Sequence, residues 1–230
     1  MLRHWGHQVF ATGHGDGRAG VIPHATARRL VLAGAVMFVL YIAMDVTASI
    51  LYDGYSYRDQ TISELSAIGA PTRTFWLSVS VAYVALSVAF AVGVLGVAGE
   101  RRALRIVGWL LLITAVTGVL WWIAPMHRRE VLAADGGDWR DTMHLAMGGL
   151  TSGLYFGMAG AGAFAFGRWF RWSSLATIAV MLVFGAIMNT QVPAVGENEP
   201  TEWLGVVERI VVEGGMLWQA VFAIVAYRRV

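Results

Sequence analysis

The sequence predicts an all-α protein, a polytopic bundle of six membrane-spanning helices, and three observations carry that expectation. Hydrophobic residues make up 57% of the 230-residue chain and charged residues only 14%, a balance foreign to soluble domains. Uncharged runs at 74–99, 106–126 and 172–196 each exceed the ~20 residues a helix needs to cross the hydrocarbon core. Three further apolar stretches, about 30–52, 142–167 and 205–227, qualify once isolated polar residues are tolerated. Strand alternation is absent and lipid offers the backbone no hydrogen-bond partner, so closed helices are the expected solution.

The leader, residues 1–29, reads as a flexible cytoplasmic tail. Its histidines His4, His7, His14 and His24 admit a metal-binding reading, against which its glycine-rich composition weighs. The first apolar run is too long, and begins too far from Met1, for a cleavable signal. Residues 30–230 form the membrane domain, with spans expected at about 30–52, 74–97, 105–125, 142–166, 172–191 and 204–227. Short turns near 98–105 and 167–172 make hairpins of spans 2–3 and 4–5. The opposite connections, 53–73, 125–141 and 191–203, are longer and hold Pro71, Pro125, Pro193 and Pro200, which end helices or stiffen turns. In span 4, Gly149, Gly153 and Gly157 recur every four residues. Such a face lets helix backbones approach, within the bundle or across a homodimer. Tryptophans near both expected boundaries suit aromatic belts, whereas Trp218 lies too deep and is expected in the core.

Charge sets the orientation. All 17 basic residues are arginine, which suits a GC-rich bacterial genome and hence the bacterial inner (plasma) membrane. With the amino terminus inside, the cytoplasmic segments hold 11 arginines (3, 18, 28, 29, 101, 102, 105, 168, 171, 228, 229). The outer loops hold five (58, 73, 128, 129, 140). Both termini are therefore placed in the cytoplasm. The absence of cysteine excludes disulfides and thiolate chemistry, and a net charge of +2 gives no reason to expect nucleic acid.

Polar residues inside the spans are the candidate site. At ~1.5 Å rise per residue, Asp45 lies ~24 Å, Glu213 ~22 Å, Asn189 ~27 Å and His144 ~36 Å from the inner boundary. A charge near mid-bilayer costs at least ~2.5–3.5 kcal/mol, so such groups face a bundle interior or a watery cavity. Two readings follow: an outward-opening acidic pocket, or interhelical hydrogen bonding alone. Arg209 and Glu213, four apart, are expected to pair along one helix, with Glu208 turned about 100° away near the surface. Asp141 and His144, three apart, place a carboxylate beside an imidazole, which suits a general base, a metal ligand or an ordinary helix start. His127 is the other outer histidine. No HExxH motif exists, and no metal or cofactor is assigned. Thr61, Ser63 and Ser66 supply hydroxyls near Glu64, but without a GxSxG elbow a serine hydrolase is not supported. Asp45, Glu64, Asp141 and His144 are thus the candidate acid/base residues. Arg73, Ser63, Asn189, Glu213 and Trp122 are the candidate ligand contacts, Arg73 being placed for a lipid phosphate.

The run Tyr55-Ser-Tyr-Arg-Asp-Gln-Thr-Ile-Ser-Glu-Leu-Ser-Ala-Ile-Gly-Ala-Pro-Thr-Arg73 resembles the signature of the bacterial membrane proteins of domain-of-unknown-function family 998. The likeness extends over about residues 30–228 and includes Gly205-Val-Val-Glu-Arg209 in the last span. The shorter pattern Ile62-Ser63-Glu64, Gly69 and Pro71 is similar to a loop of the eukaryotic Frag/DRAM/Sfk family, which implies a connection with lipid. Thr61 or Ser63 is placed to cap a short helix that Gly69-Ala-Pro71 ends. The resulting expectation is a membrane protein whose outer polar pocket, roofed by residues 54–73, binds a membrane lipid or isoprenoid. The alternative is an intramembrane acid/base enzyme on such a molecule, for example a small terpene cyclase. There a protonated carboxylic acid starts a carbocation cascade over aromatic faces. A proton-coupled transporter is disfavoured, because the inner halves of the spans lack polar lining.

Overall fold

The computed structural model describes residues 22–230, and every regular element among them is helical. The helices are α1 (His24–Val31), α2 (Ala33–Leu51), α3 (Arg73–Ala98), α4 (Arg102–Gly118), α5 (Arg129–Asp135), α6 (Trp139–Gly162), α7 (Arg168–Gly196) and α8 (Leu204–Arg229). Two short 3-10 helices, Ile62–Ser66 and Val119–Trp122, lie at one end of the bundle with α5. That end, built from residues 52–72, 119–138 and 197–203, is the loop end.

Among the described residues, five helical stretches are long and apolar enough to cross a membrane: His24–Leu51, Arg73–Ala98, Arg102–Trp122, Arg168–Gly196 and Leu204–Arg229. The first joins α1 to α2 through Leu32, so helix begins at His24 and the outer part of the expected tail is already ordered structure. Its remainder, with His4, His7 and His14, lies outside the described residues. α6 has the required length at 24 residues, but Arg140, Asp141, His144 and its six glycines keep it less apolar than the other five.

Close backbone approach positions the first helix. A Cβ on Gly93 of α3 would stand 2.6 Å from the Val31 nitrogen and 2.7 Å from the Leu30 carbonyl carbon, so α1 nests against α3. Arg28 pins the same end by donating from Nε to the Tyr227 carbonyl at 2.8 Å, with its guanidinium 4.4 Å from the Tyr227 ring centre. The core is aromatic: Phe90, Phe166, Phe170, Trp218 and Phe222 meet with ring centroids 5.3–6.4 Å apart. Trp218 is buried as its depth suggests, and its indole N–H donates to Ser174 Oγ at 2.9 Å. Trp109, Trp169 and Trp172 stand exposed, as belt residues do.

Two expectations fail here. Gly149 and Gly153 have no atom within 4 Å of an added Cβ, so the tight internal packing expected of span 4 is made only further along, at Gly157 and Gly162. Pro193 does not end its helix: α7 continues to Gly196. A proline so near the carboxyl end removes one ladder bond and is tolerated there. Asn189 of α7 is exposed, because α7 is peripheral and buries only Phe170, Ser174, Met181 and Val195 among its 29 residues.

Candidate functional site

At the loop end the chain is held by two buried guanidinium–carboxylate clamps. Residues 61–66 turn into a 3-10 helix because Thr61 and Glu64 form a capping box, with Thr61 N donating to Glu64 Oε2 at 2.7 Å. Gly69, at φ +85°, lets the chain turn towards α3, and Ile68 N donates to the Met126 carbonyl at 2.8 Å. Arg129, at the start of α5, grips Glu64 with Nε on Oε1 at 2.6 Å and Nη2 on Oε2 at 2.9 Å. Gln60 Nε2 adds a bond to Oε1, and Thr61 Oγ1 one to Oε2. Arg129 Nη1 also donates to Thr201 Oγ1 at 2.8 Å, and that hydroxyl donates to the Asp59 carbonyl at 2.8 Å. Asp59 itself accepts from Arg58 Nε at 2.7 Å and from the Trp203 amide at 3.0 Å, and these donors hold its carboxyl down to about 2.

The second clamp joins the first and last helices. Arg209 of α8 donates from Nε and Nη2 to the two oxygens of Asp45 on α2, both at 2.8 Å. Its Nη1 reaches the carbonyls of Tyr57 at 3.0 Å and Gly205 at 3.1 Å, and Nη2 reaches the Tyr55 hydroxyl at 3.0 Å. The Tyr57 ring lies 3.6 Å beneath the guanidinium carbon. Burial pushes the Tyr55 hydroxyl above its ordinary range, so it remains a donor to the Gln60 and Thr61 carbonyls. Gly205 makes the approach feasible, since a side chain there would collide with the Gln60 and Tyr57 carbonyl oxygens. The pairing of Arg209 with Glu213 along one helix is therefore corrected: a carboxylate on another helix satisfies both prongs of the guanidinium. Glu213 Oε1 is buried and has no hydrogen-bond partner among the described residues.

A third cluster centres on Ser63, whose side chain is half-buried. His144 Nδ1 lies 3.0 Å from the Ala124 carbonyl, which can only accept, so Nδ1 carries hydrogen. In the neutral ring Nε2 is then a free lone pair, and it stands 3.0 Å from Ser63 Oγ. The Trp121 ring meets the imidazole edge-on at 4.8 Å. On the other side of Ser63 is Glu208, whose Oε1 lies 3.5 Å from Oγ and whose Oε2 accepts from the Ile62 amide. Glu208 is thus turned into the loop, not left at the surface as its place beside Arg209 suggests. The expected Asp141–His144 doublet is not formed either. Asp141 belongs to a capping box with Asp138 and turns back over the start of α6, where it accepts from His127 N at 2.7 Å and His127 Nδ1 at 2.8 Å.

The remaining candidates are dispersed. Arg73 donates from Nη1 to the Ser66 carbonyl at 2.5 Å, closing the 3-10 helix. Trp122 turns its indole N–H to Ser80 Oγ of α3 at 2.9 Å. His127, Asp138 and Asp141 bring metal-ligating atoms within 4.8 Å of one another, but both Asp141 oxygens already accept the bonds just described and one from Asp138 N. An open groove of about 460 Å³ runs along α6, lined by Trp139, Thr142, Met143, Ala146, Met147 and Leu150. A small cavity of about 20 Å³, the room of one water, lies in the bundle among Met37, Tyr83, Ser87 and Gln219. Asp45, Glu64, Asp141 and His144 line neither. Each of the four has hydrogen-bonding partners: Arg209 for Asp45, Arg129 for Glu64, His127 for Asp141, and Ala124 and Ser63 for His144.

No curated protein and no solved structure matches the chain. A family described as "Protein of unknown function (DUF998)" matches residues 31–225, a stretch that contains both clamps, the Ser63 cluster and the α6 groove. The chain, a helical protein with several helices long and apolar enough to cross a membrane, belongs to the DUF998 family.

Proposed function

We propose that the protein crosses a bacterial plasma membrane six times, with α6 as the sixth crossing and both termini in the cytoplasm, and that it holds a lipid or isoprenoid chain along α6. The groove carries this reading. It begins at Trp139 and runs over the same turns of α6 that bear Asp141 and His144. An apolar chain lying in it brings its polar end to the hydrogen-bonding groups of the loop end. The arginine asymmetry supports the orientation, and the likeness of Ile62–Pro71 to a lipid-associated family supports the ligand class. Arg73, partly exposed at the start of α3, adds a cation at that boundary.

The acid/base alternative gains from one observation, the Ser63–His144 contact. Its cyclase version loses support, because Asp45 and Glu64 are each clamped by an arginine and neither is a free acid. A second copy of the chain is the other occupant that suits the α6 face, since Gly149 and Gly153 continue it with open space.

The test fills the groove. Wild type and Ala146→Trp are extracted in mild detergent, and bound lipid and particle mass are measured by native mass spectrometry. Wild type retains about one apolar lipid per chain and the variant loses most of it. Equal lipid in both proteins overturns the proposal, as does a wild-type dimer that the substitution dissociates.

A further inference from the structure

We propose that Ser63 is a nucleophile, with His144 as its base, in acyl transfer from an ester-bearing lipid. Three features of the cluster point there, beyond what a loop anchor needs. The Ser63 oxygen and His144 Nε2 are 3.0 Å apart, the reach of a nucleophile–base pair. The base is oriented by a third group, the Ala124 carbonyl, which fixes the proton on Nδ1 and leaves Nε2 as the acceptor. Ser63 is partly exposed, whereas His144 is 9% exposed with Trp121 edge-on against it, so the base is the more buried member of the pair. The hydroxyl has one proton and two neighbours. His144 Nε2 at 3.0 Å takes it in preference to Glu208 Oε1 at 3.5 Å. Glu208 stays on the far side of Ser63, held by the Ile62 amide.

The step balances with no redox partner. Ser63 Oγ forms a bond to the ester carbonyl carbon as its proton passes to His144 Nε2. The carbon–oxygen bond to the alcohol then breaks, and His144 returns the proton to the departing oxygen. Water or a second alcohol then attacks the acyl-serine carbonyl and gives its proton to His144; the bond from the acyl carbon to Ser63 Oγ breaks, and His144 passes that proton to Oγ as the acid or new ester leaves. The site has no GxSxG elbow. Instead the serine sits on a 3-10 turn held rigid by the Thr61–Glu64 capping box, and the histidine comes from a separate helix. That the acyl donor is a lipid rests on the reading proposed above, in which the neighbouring face of α6, beginning at Trp139, holds an apolar chain.

The experiment separates the pair from the groove. Full-length protein in nanodiscs is treated with an ethyl fluorophosphonate and with a dodecyl one, and the adduct is located by peptide mass. The short probe labels Ser63 in wild type. His144→Ala slows that labelling at least ~100-fold, the usual worth of a general base. Ser63→Cys restores an acceptor that iodoacetamide alkylates faster with His144 present than without it. If the long probe reacts faster than the short one and Ala146→Trp erases that difference alone, both the pair and the lipid reading stand. If the short probe labels Ser63 but chain length and Ala146→Trp have no effect, the nucleophile stands and the lipid substrate falls. If neither probe modifies Ser63 in folded wild type, the contact is a loop anchor and the proposal is overturned. This last readout needs no variant and so survives any that fail to fold.

Discussion

Replacing Asp45 with alanine strips both charge-assisted bonds from Arg209 while leaving its guanidinium, 4% exposed, in the bundle. Removing one partner of a buried pair costs about 3–5 kcal/mol, chiefly through the uncompensated charge. Five acceptors remain around Arg209: the Tyr57, Gln60 and Gly205 carbonyls and the Tyr55 and Ser49 hydroxyls. The loss in Asp45→Ala therefore falls near the lower end, about 3 kcal/mol. Arg209→Met alone leaves the fully buried Asp45 without a counter-charge and costs about 3–5 kcal/mol for the same reason. The double variant removes both charges. Its main remaining cost is the Tyr57 carbonyl, since the Gln60 carbonyl keeps the Tyr55 hydroxyl. An orphaned buried acceptor costs about 1–3 kcal/mol, so the double variant is expected to be no less stable than either single one. Reversible unfolding in mixed micelles, followed by tryptophan fluorescence, yields the three values. Additive losses of about 6–8 kcal/mol, the sum of the two single losses, would show that the pair is not coupled and would refute the clamp.

Two further outcomes follow from the loop end. Gly205→Ala forces a methyl against the Gln60 and Tyr57 carbonyl oxygens and is expected to cost about 1–3 kcal/mol in the same assay, while Gly149→Ala, mid-helix in open space, is expected to gain about 0.5–1 kcal/mol; an equal loss in both would contradict the close approach. Asp59, held down to about 2 by Arg58 and the Trp203 amide, stabilises the docked loop fully above the ordinary carboxylate pKa of about 4. That contribution declines as pH falls and is gone once pH passes below about 2. Trp203 emission should report the release in that window and Asp59→Asn should abolish the titration; a midpoint near 4 in wild type counts against it.

Helix positions were largely legible because length and hydropathy are local properties. The expected spans at 74–97 and 204–227 differ by at most a few residues from α3 and α8. The Thr61 cap was legible for the same reason, the capping box being a four-residue pattern. The partners of the polar residues were not, because they come from distant segments: Glu64 meets Arg129, and Ser63 meets both His144 and Glu208. One signal did exist. Counted from Arg228, Arg209 lies ~28 Å above the inner boundary, close to the ~24 Å of Asp45. Opposite charges at one depth on different spans point to each other more strongly than to a neighbour four residues along. No comparable pattern marks Arg129, which sits in a loop whose seven-residue helix the apolar runs do not foreshadow.

The Asp45–Arg209 bond also has a temporal meaning, because 164 residues separate its ends. During synthesis the first helix enters the bilayer carrying a bare carboxylate, and the compensating cation arrives only with the last. Until then the Tyr57 and Gln60 carbonyls lack the Arg209 guanidinium, and residues 54–66 are docked only by their other contacts, such as Glu64 with Arg129. A chain lacking α8 therefore carries the Asp45 carboxylate on its first helix without the guanidinium that pairs with it.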